Sequence, residues 1–344
     1  MVNFFIAVYS AVISCIYFFL PLYLKGSLHF TGAQIGLLYA VLSVNAILVA
    51  FPLGVTGDRY PARILTGLGL AGTALSLWGM AAVGRFWLFL AVFWGYGLSM
   101  QLFRQSLDIL LFKDQPADAA RHFGHFNAMR MGGMMGGVLV GGVLFYTLDF
   151  PLTLKLFGVG LLLLLFFSAR LPLTRGVQAG LFEYGRDFLT RPVLFFATWL
   201  FLFTLHWGAE ATSLALFLHQ NLGLDLRGVG VYMAGEFGVV ALTAFLYGRF
   251  WAGRLKPLTF LSLALVASGT GHILMTYPPL AWSFAWRAVH GFGDGLILME
   301  TYTTISRLFH VDRIGGNSSL ISLTTTLGVF AGSLIFGPLG AAYG

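Results

Sequence analysis

Eleven runs of roughly 20 apolar residues, parted by short polar breaks, take up nearly the whole chain, and a helix needs a run of that length to cross a hydrocarbon layer about 30 Å thick. They cover 3–24, 33–56, 64–83, 86–110, 124–147, 150–169, 192–217, 228–249, 257–276, 280–304 and 317–340. Backbone polar groups in hydrocarbon must be satisfied within their own segment, so the spacing predicts an all-α integral membrane protein. With 58% hydrophobic and only 10% charged residues among 344, the chain lacks the polar density of a soluble domain, a disordered segment or a nucleic-acid-binding surface. The first run has no basic segment ahead of it and ends in Phe19, Leu20, Pro21 and Leu22, so it reads as a span and not as a cleaved signal. Cys15, the single cysteine, lies in this run and is read as a packing residue, with no disulfide or metal role.

Lys and Arg are retained in cytoplasmic loops during insertion, and their distribution orients the spans. With the N-terminus inside, the inner connections hold Arg59, Arg63, Lys113, Arg121, Arg170, Arg175, Arg186, Arg191, Arg249, Arg254, Lys256, Arg307 and Arg313, which is 13 of the 20 basic residues. Only Lys25, Arg85 and Arg227 fall outside. The net charge of +7 is therefore mostly a topology signal. The expected location is a bacterial or archaeal inner membrane, with the N-terminus cytoplasmic.

The longest polar segment, 171–191, divides the chain into 1–170 and 192–344. The halves show a repeat: Trp94, Gly95, Tyr96 and Gly97 align with His290, Gly291, Phe292 and Gly293 at an offset of 196, which places Arg104 on Glu300. At that offset a sixth span of the second half begins beyond Gly344.

Between the second and third spans stand Gly54, Asp58, Arg59 and Arg63, a G-x-x-x-D-R loop followed by a further basic residue. This resembles the loop signature of the major facilitator superfamily, although Pro61 and Ala62 replace that family's Gly and basic residue. A tight turn here lets two helices approach while Asp58 bonds to a helix N-terminus or a neighbouring Arg. Arg287, Gly291 and Gly293 look like the family's intramembrane Arg-Gly motif, usually found in the fourth span, where Ala91 takes the Arg position here. Gly133, Gly137, Gly141 and Gly142 resemble the glycine motif of proton-driven exporters, with Val138 in place of Pro; close helix packing is the alternative. The resemblance implies two pseudo-symmetric bundles around a cavity lined by spans one, four, seven and ten. It also implies twelve helices, so eleven are expected to be an incomplete set.

Charged residues inside spans are costly and mark function. His206 and Glu210 fall mid-depth in the seventh span, Arg287, His290 and Asp294 in the tenth, and Glu236 in the eighth. Spacings of three and four place the partners on one helical face. A carboxyl in low dielectric beside an imidazole can take and release protons, so these six residues are the expected proton-coupling or substrate site. The alternative is a structural network, with Arg287 paired to Asp294 or Glu210. Arg130, inside the fifth span, is a candidate for an anionic group. Arg104, Asp108 and Glu300 join Gly54, Asp58, Arg59 and Arg63 as an expected inner gate, with Asp108 pairing to Arg59 or Arg63. His272, near the outer end of its span, is expected to snorkel outward.

The expected activity is secondary transport of a small polar or zwitterionic organic solute by a monomer set in lipid, with no cofactor and coupled to protons. Alternatives are a proton-driven drug or metabolite exporter, a divalent-metal transporter, or a membrane-embedded metalloenzyme, the last two because His206/Glu210 and His290/Asp294 have the i, i+4 spacing of metal ligands. The sequence lacks H-E-x-x-H, G-x-S-x-G and phosphate-binding glycine motifs, which argues against an enzyme.

Overall fold

The computed structural model describes residues 1–114, 118–174, 176–254 and 256–343; Arg175, counted above with the basic loops, Leu255 and Gly344 lie outside the described residues. The first six spans are α1 (Val2–Gly26), α2 (Gly32–Arg59), α3 (Ala62–Ala82), α4 (Phe86–Lys113), α5 (Ala119–Thr147) and α6 (Phe150–Phe167). A short α7 (Leu181–Phe188) lies in the polar segment. The seventh span is α8 (Arg191–Ala209), which continues through a π-helical turn at Glu210–Leu214 into α9 (Ala215–Gln220). Then follow α10 (Leu226–Leu246), which ends in a second π-helical turn at Tyr247–Trp251, α11 (Pro257–Leu274), α12 (Leu280–Leu308) and α13 (Ile314–Tyr343).

Each expected run is a helix. Ten are long and apolar enough to cross a membrane; α12, at 29 residues, is long enough but carries Arg287, His290, Asp294 and Glu300. Local chemistry sets several starts: Thr31 and Gln34 form a reciprocal capping box on α2, while Asp149 and Asp225 cap α6 and α10 through the amides of Leu152 and Gly228.

In the first half α1 packs on α5, and α3 on α4 and α6; in the second, α8 packs on α13, and α12 on α11 and α10. The halves meet along two seams, α2 with α13 and α5 with α10. Small residues permit these approaches. A Cβ on Gly133 or Gly137 would strike the backbone of Ala7 or Ala11, and one on Gly141 would meet Cys15 and Phe19, so these three glycines serve packing against α1, while the surroundings of Gly142 lie outside what is described. At the seams, Gly124 of α5 abuts Gly248, and Gly54 of α2 abuts Gly315 and Ser319.

The polar segment straps the Asp58 end of both halves. Val177 N–H donates to the Asp58 carbonyl at 2.8 Å, Arg59 and Arg63 donate to the carbonyls of Ala179 and Ala169, and Asp187 accepts from Arg313 at 2.7 Å and Asn317 at 3.0 Å. Partial burial pushes the Asp187 carboxyl up, but Arg313 and Asn317 outweigh it and hold the group below its ordinary value. A depressed folded-state value means stabilisation that is present above the ordinary carboxylate range and lost as pH falls through the lowered value. Asp187→Asn is therefore expected to lower stability by about 1 kcal/mol at neutral pH and by almost nothing in strong acid. Thermal unfolding of both proteins at neutral and acidic pH checks this, and equal unfolding temperatures at neutral pH would count against the strap.

Candidate functional site

Inside the second half, α8, α10, α11 and α12 bring one arginine, three carboxylates and three histidines into a single cluster. Glu210 opens the π-helical turn, a departure from α geometry that is frequent at functional sites. Its Oε1 accepts from Arg287 Nη1 at 2.6 Å and lies 2.8 Å from His290 Nε2 and 3.1 Å from His272 Nδ1; its Oε2 accepts from Arg287 Nη2 at 3.0 Å. Arg287, 1% exposed, also bonds Glu236. Asp294 accepts from Ser268 Oγ at 2.7 Å and from Trp207 Nε1 at 2.6 Å, with His290 Nε2 3.5 Å and His206 Nε2 3.8 Å away.

Glycines make this density possible. Gly271 of α11 abuts the His290 backbone, and Gly291 and Gly293 of α12 abut Glu236 and Ser268. Thus His206, Glu210, Glu236, Arg287, His290 and Asp294 come together as the sequence suggests. His272 does not snorkel: it turns inward onto Glu210, because an unpaired imidazole gains more from a carboxylate than from the interface. Ligand atoms of His206, Glu210 and His290 lie within 4.8 Å of one another, as do those of Glu236, His290 and Asp294, close enough to enclose a cation. Both oxygens of Glu210 are already taken by Arg287, however, which makes the cluster a salt-bridged network.

Arg130 lies elsewhere, between the halves. Two adjoining cavities of about 500 and 310 Å³ share Arg104 and Arg130. The first is lined by α1, α4, α5 and α10, and the second by α4, α5, α8, α12 and α13. The four helices expected around the cavity therefore all contribute. Arg104 faces this space without an ion pair among the described residues, and so is placed in the cavity and not beside Asp58. Arg130 Nη1 donates to Tyr302 Oη at 3.0 Å, and that hydroxyl donates to Asp108 at 2.6 Å, where the sequence suggested Arg59 or Arg63. Tyr302 stacks on Phe112 and closes the cavity floor. Trp207 lines the second cavity while bonding Asp294, and so stands between cavity and cluster.

At the far side of Tyr302 the fully buried Asp58 reaches across the α2–α13 seam. Its carboxylate accepts the N–H groups of Gly315 at 2.9 Å and Gly316 at 2.8 Å, at the start of α13, and the Tyr184 hydroxyl at 3.1 Å, with Lys113 Nζ 3.5 Å away. A negative charge at a helix N-terminus is favourable, and here it ties the two halves together. Gly54 permits the crossing. Glu300 stands apart, bonded to Tyr247 at 2.5 Å and Arg307 at 3.3 Å.

Membrane-spanning helices in two bundles, a cavity between them that carries two arginines and a charged cluster beside it define a multi-pass membrane carrier. Residues 2–333 match the Major Facilitator Superfamily, and the chain belongs to that family of secondary transporters. It is similar in fold to the human organic anion transporter MFSD10 (TETRAN), with a TM-score of 0.78 and 15% identity over 99% of this chain and 95% of that one. No curated protein matches it in sequence.

Proposed function

We propose that this transporter carries a small organic solute by alternating access and draws its energy from protons taken up and released at Glu210 and Asp294. The geometry supports this reading: Glu210 and Glu236 share the single guanidinium of Arg287 and Asp294 lies beside His290 and His206, so in low dielectric three carboxylates stand with one fixed cation and imidazoles within reach. Trp207 carries the state of Asp294 to the cavity wall. The bundles 1–170 and 192–344 rock about the 171–191 strap, as a monomer in lipid. With the N-terminus cytoplasmic in a bacterial or archaeal inner membrane, the end locked by Asp58 is the inner one, and this conformation is closed to the cytoplasm.

Exchange of solute needs no net proton movement, whereas accumulation does. In liposomes Glu210→Gln and Asp294→Asn are expected to keep counterflow while losing accumulation driven by a pH gradient. Unchanged pH-driven uptake in both variants would remove them as proton carriers. Loss of exchange together with driven uptake would make the cluster structural.

A further inference from the structure

We propose that the solute is an amphipathic organic monoanion whose acidic group lies between Arg104 and Arg130 and whose apolar body lies among Met100, Met131, Met134 and Met233. This rests on the transporter reading above and narrows it. The charged side chains lining the two joined cavities, among the described residues, are Arg104, Arg130 and Asp108, a net charge of +1. Tyr302 bridges Arg130 to Asp108 Oδ1, and the neighbouring Asp294 is held by Ser268 and Trp207, so among the described residues two guanidiniums line the space with one carboxylate. A cation would meet a net like charge, and the ammonium of a zwitterion would have to share Asp108 with Tyr302. A single anion neutralises the site and supplies acceptors to two guanidiniums, whose planar forks suit a carboxylate.

The rest of the space is apolar. Ile6, Ile13, Phe18 and Phe237 line it with the four methionines, and its volume of about 500 Å³ falls in the range of small-ligand pockets. Two of its polar groups are already used: the Tyr9 hydroxyl bonds Thr73 at 3.0 Å, and Ser14 donates to the Met134 carbonyl at 3.0 Å. A sugar would find too few partners for its hydroxyls. Methionine is polarisable and adaptable, and it makes favourable contacts with aromatic rings.

Three probes with one body and different charges test this: 4-phenylbutyrate, 4-phenylbutyramide and 4-phenylbutylamine. Equilibrium binding to the full chain in lipid nanodiscs, with no pH gradient, is expected for the acid, at least about tenfold weaker for the amide, and undetectable for the amine. Arg104→Gln is expected to weaken acid binding by about tenfold or more, and Arg104→Lys to restore most of it. Arg104 makes no ion pair among the described residues, so these variants are expected to unfold at the wild-type temperature. Absent binding of the acid, equal binding of the amide or amine, or an Arg104→Gln variant that binds like wild type would each overturn the proposal. Acid binding without pH-driven uptake would overturn proton coupling and leave the anion site standing. Uptake of the amine without the acid would overturn the anion site and leave the transporter reading intact.

Discussion

Replacing Arg287 by methionine is expected to destabilise the second bundle by several kcal/mol. The guanidinium is 1% exposed and holds Glu210 through two hydrogen bonds while also bonding Glu236. Methionine fills similar apolar space but leaves two carboxylates facing each other in low dielectric. Removing one partner of such a buried pair costs about 3–5 kcal/mol, a large share of the roughly 5–15 kcal/mol that holds a typical domain together. Thermal unfolding in detergent measures the loss. A companion carrying Arg287→Met with Glu210→Gln and Glu236→Gln is expected to recover most of it, because every stranded charge is then neutral. A single variant as stable as wild type would contradict the pairing.

Asp58→Asn is expected to slow transport sharply while changing equilibrium solute affinity only a few-fold. An amide lacks the charge that favours a helix N-terminus, and its NH₂ group presents a donor where Gly315 or Gly316 needs an acceptor. Hydrogen bonds to charged groups contribute about 1.5–3 kcal/mol, enough to shift the balance between closed and open forms by about ten- to a hundredfold. The cavity arginines lie beyond Tyr302 and keep their geometry. Solute binding and counterflow on the same preparation check this, and equal losses in both would assign Asp58 to binding.

The eleven spans were legible because continuous apolarity is a direct requirement of the bilayer, and α12 keeps enough of it to be counted among them despite its embedded charges. The Asp58 motif was legible as a short signature, although Gly54, Asp58 and Arg59 form the last turns of α2 and not a loop. Contacts between helices were not legible. Depth along a span can be counted from sequence, but the direction each face takes depends on neighbouring helices and on local winding. The π-helical turn at Glu210 alters that winding with no composition signal. His272 looked peripheral from its height alone and lies on Glu210. Arg104, grouped by depth with the inner gate, lines the cavity with Asp108, and Tyr302, Trp207 and Ser268 passed unnoticed among many uncharged residues. Their signal was position, half a turn or one turn from an ionisable residue on the same helix or facing one across a glycine.

Asp58 binds main-chain N–H groups, and this limits how the lock can be repaired by further mutation. A charge swap with a partner side chain, the usual way to rescue a broken ion pair, has nothing to act on at Gly315 and Gly316, whose amides persist whatever side chain they carry. Exchanging Asp58 with Lys113 would set a cation against two amide donors and a helix N-terminus. Suppressors of an Asp58 defect are therefore expected at positions that bias the two bundles toward closure by other contacts, and not at the residues Asp58 touches.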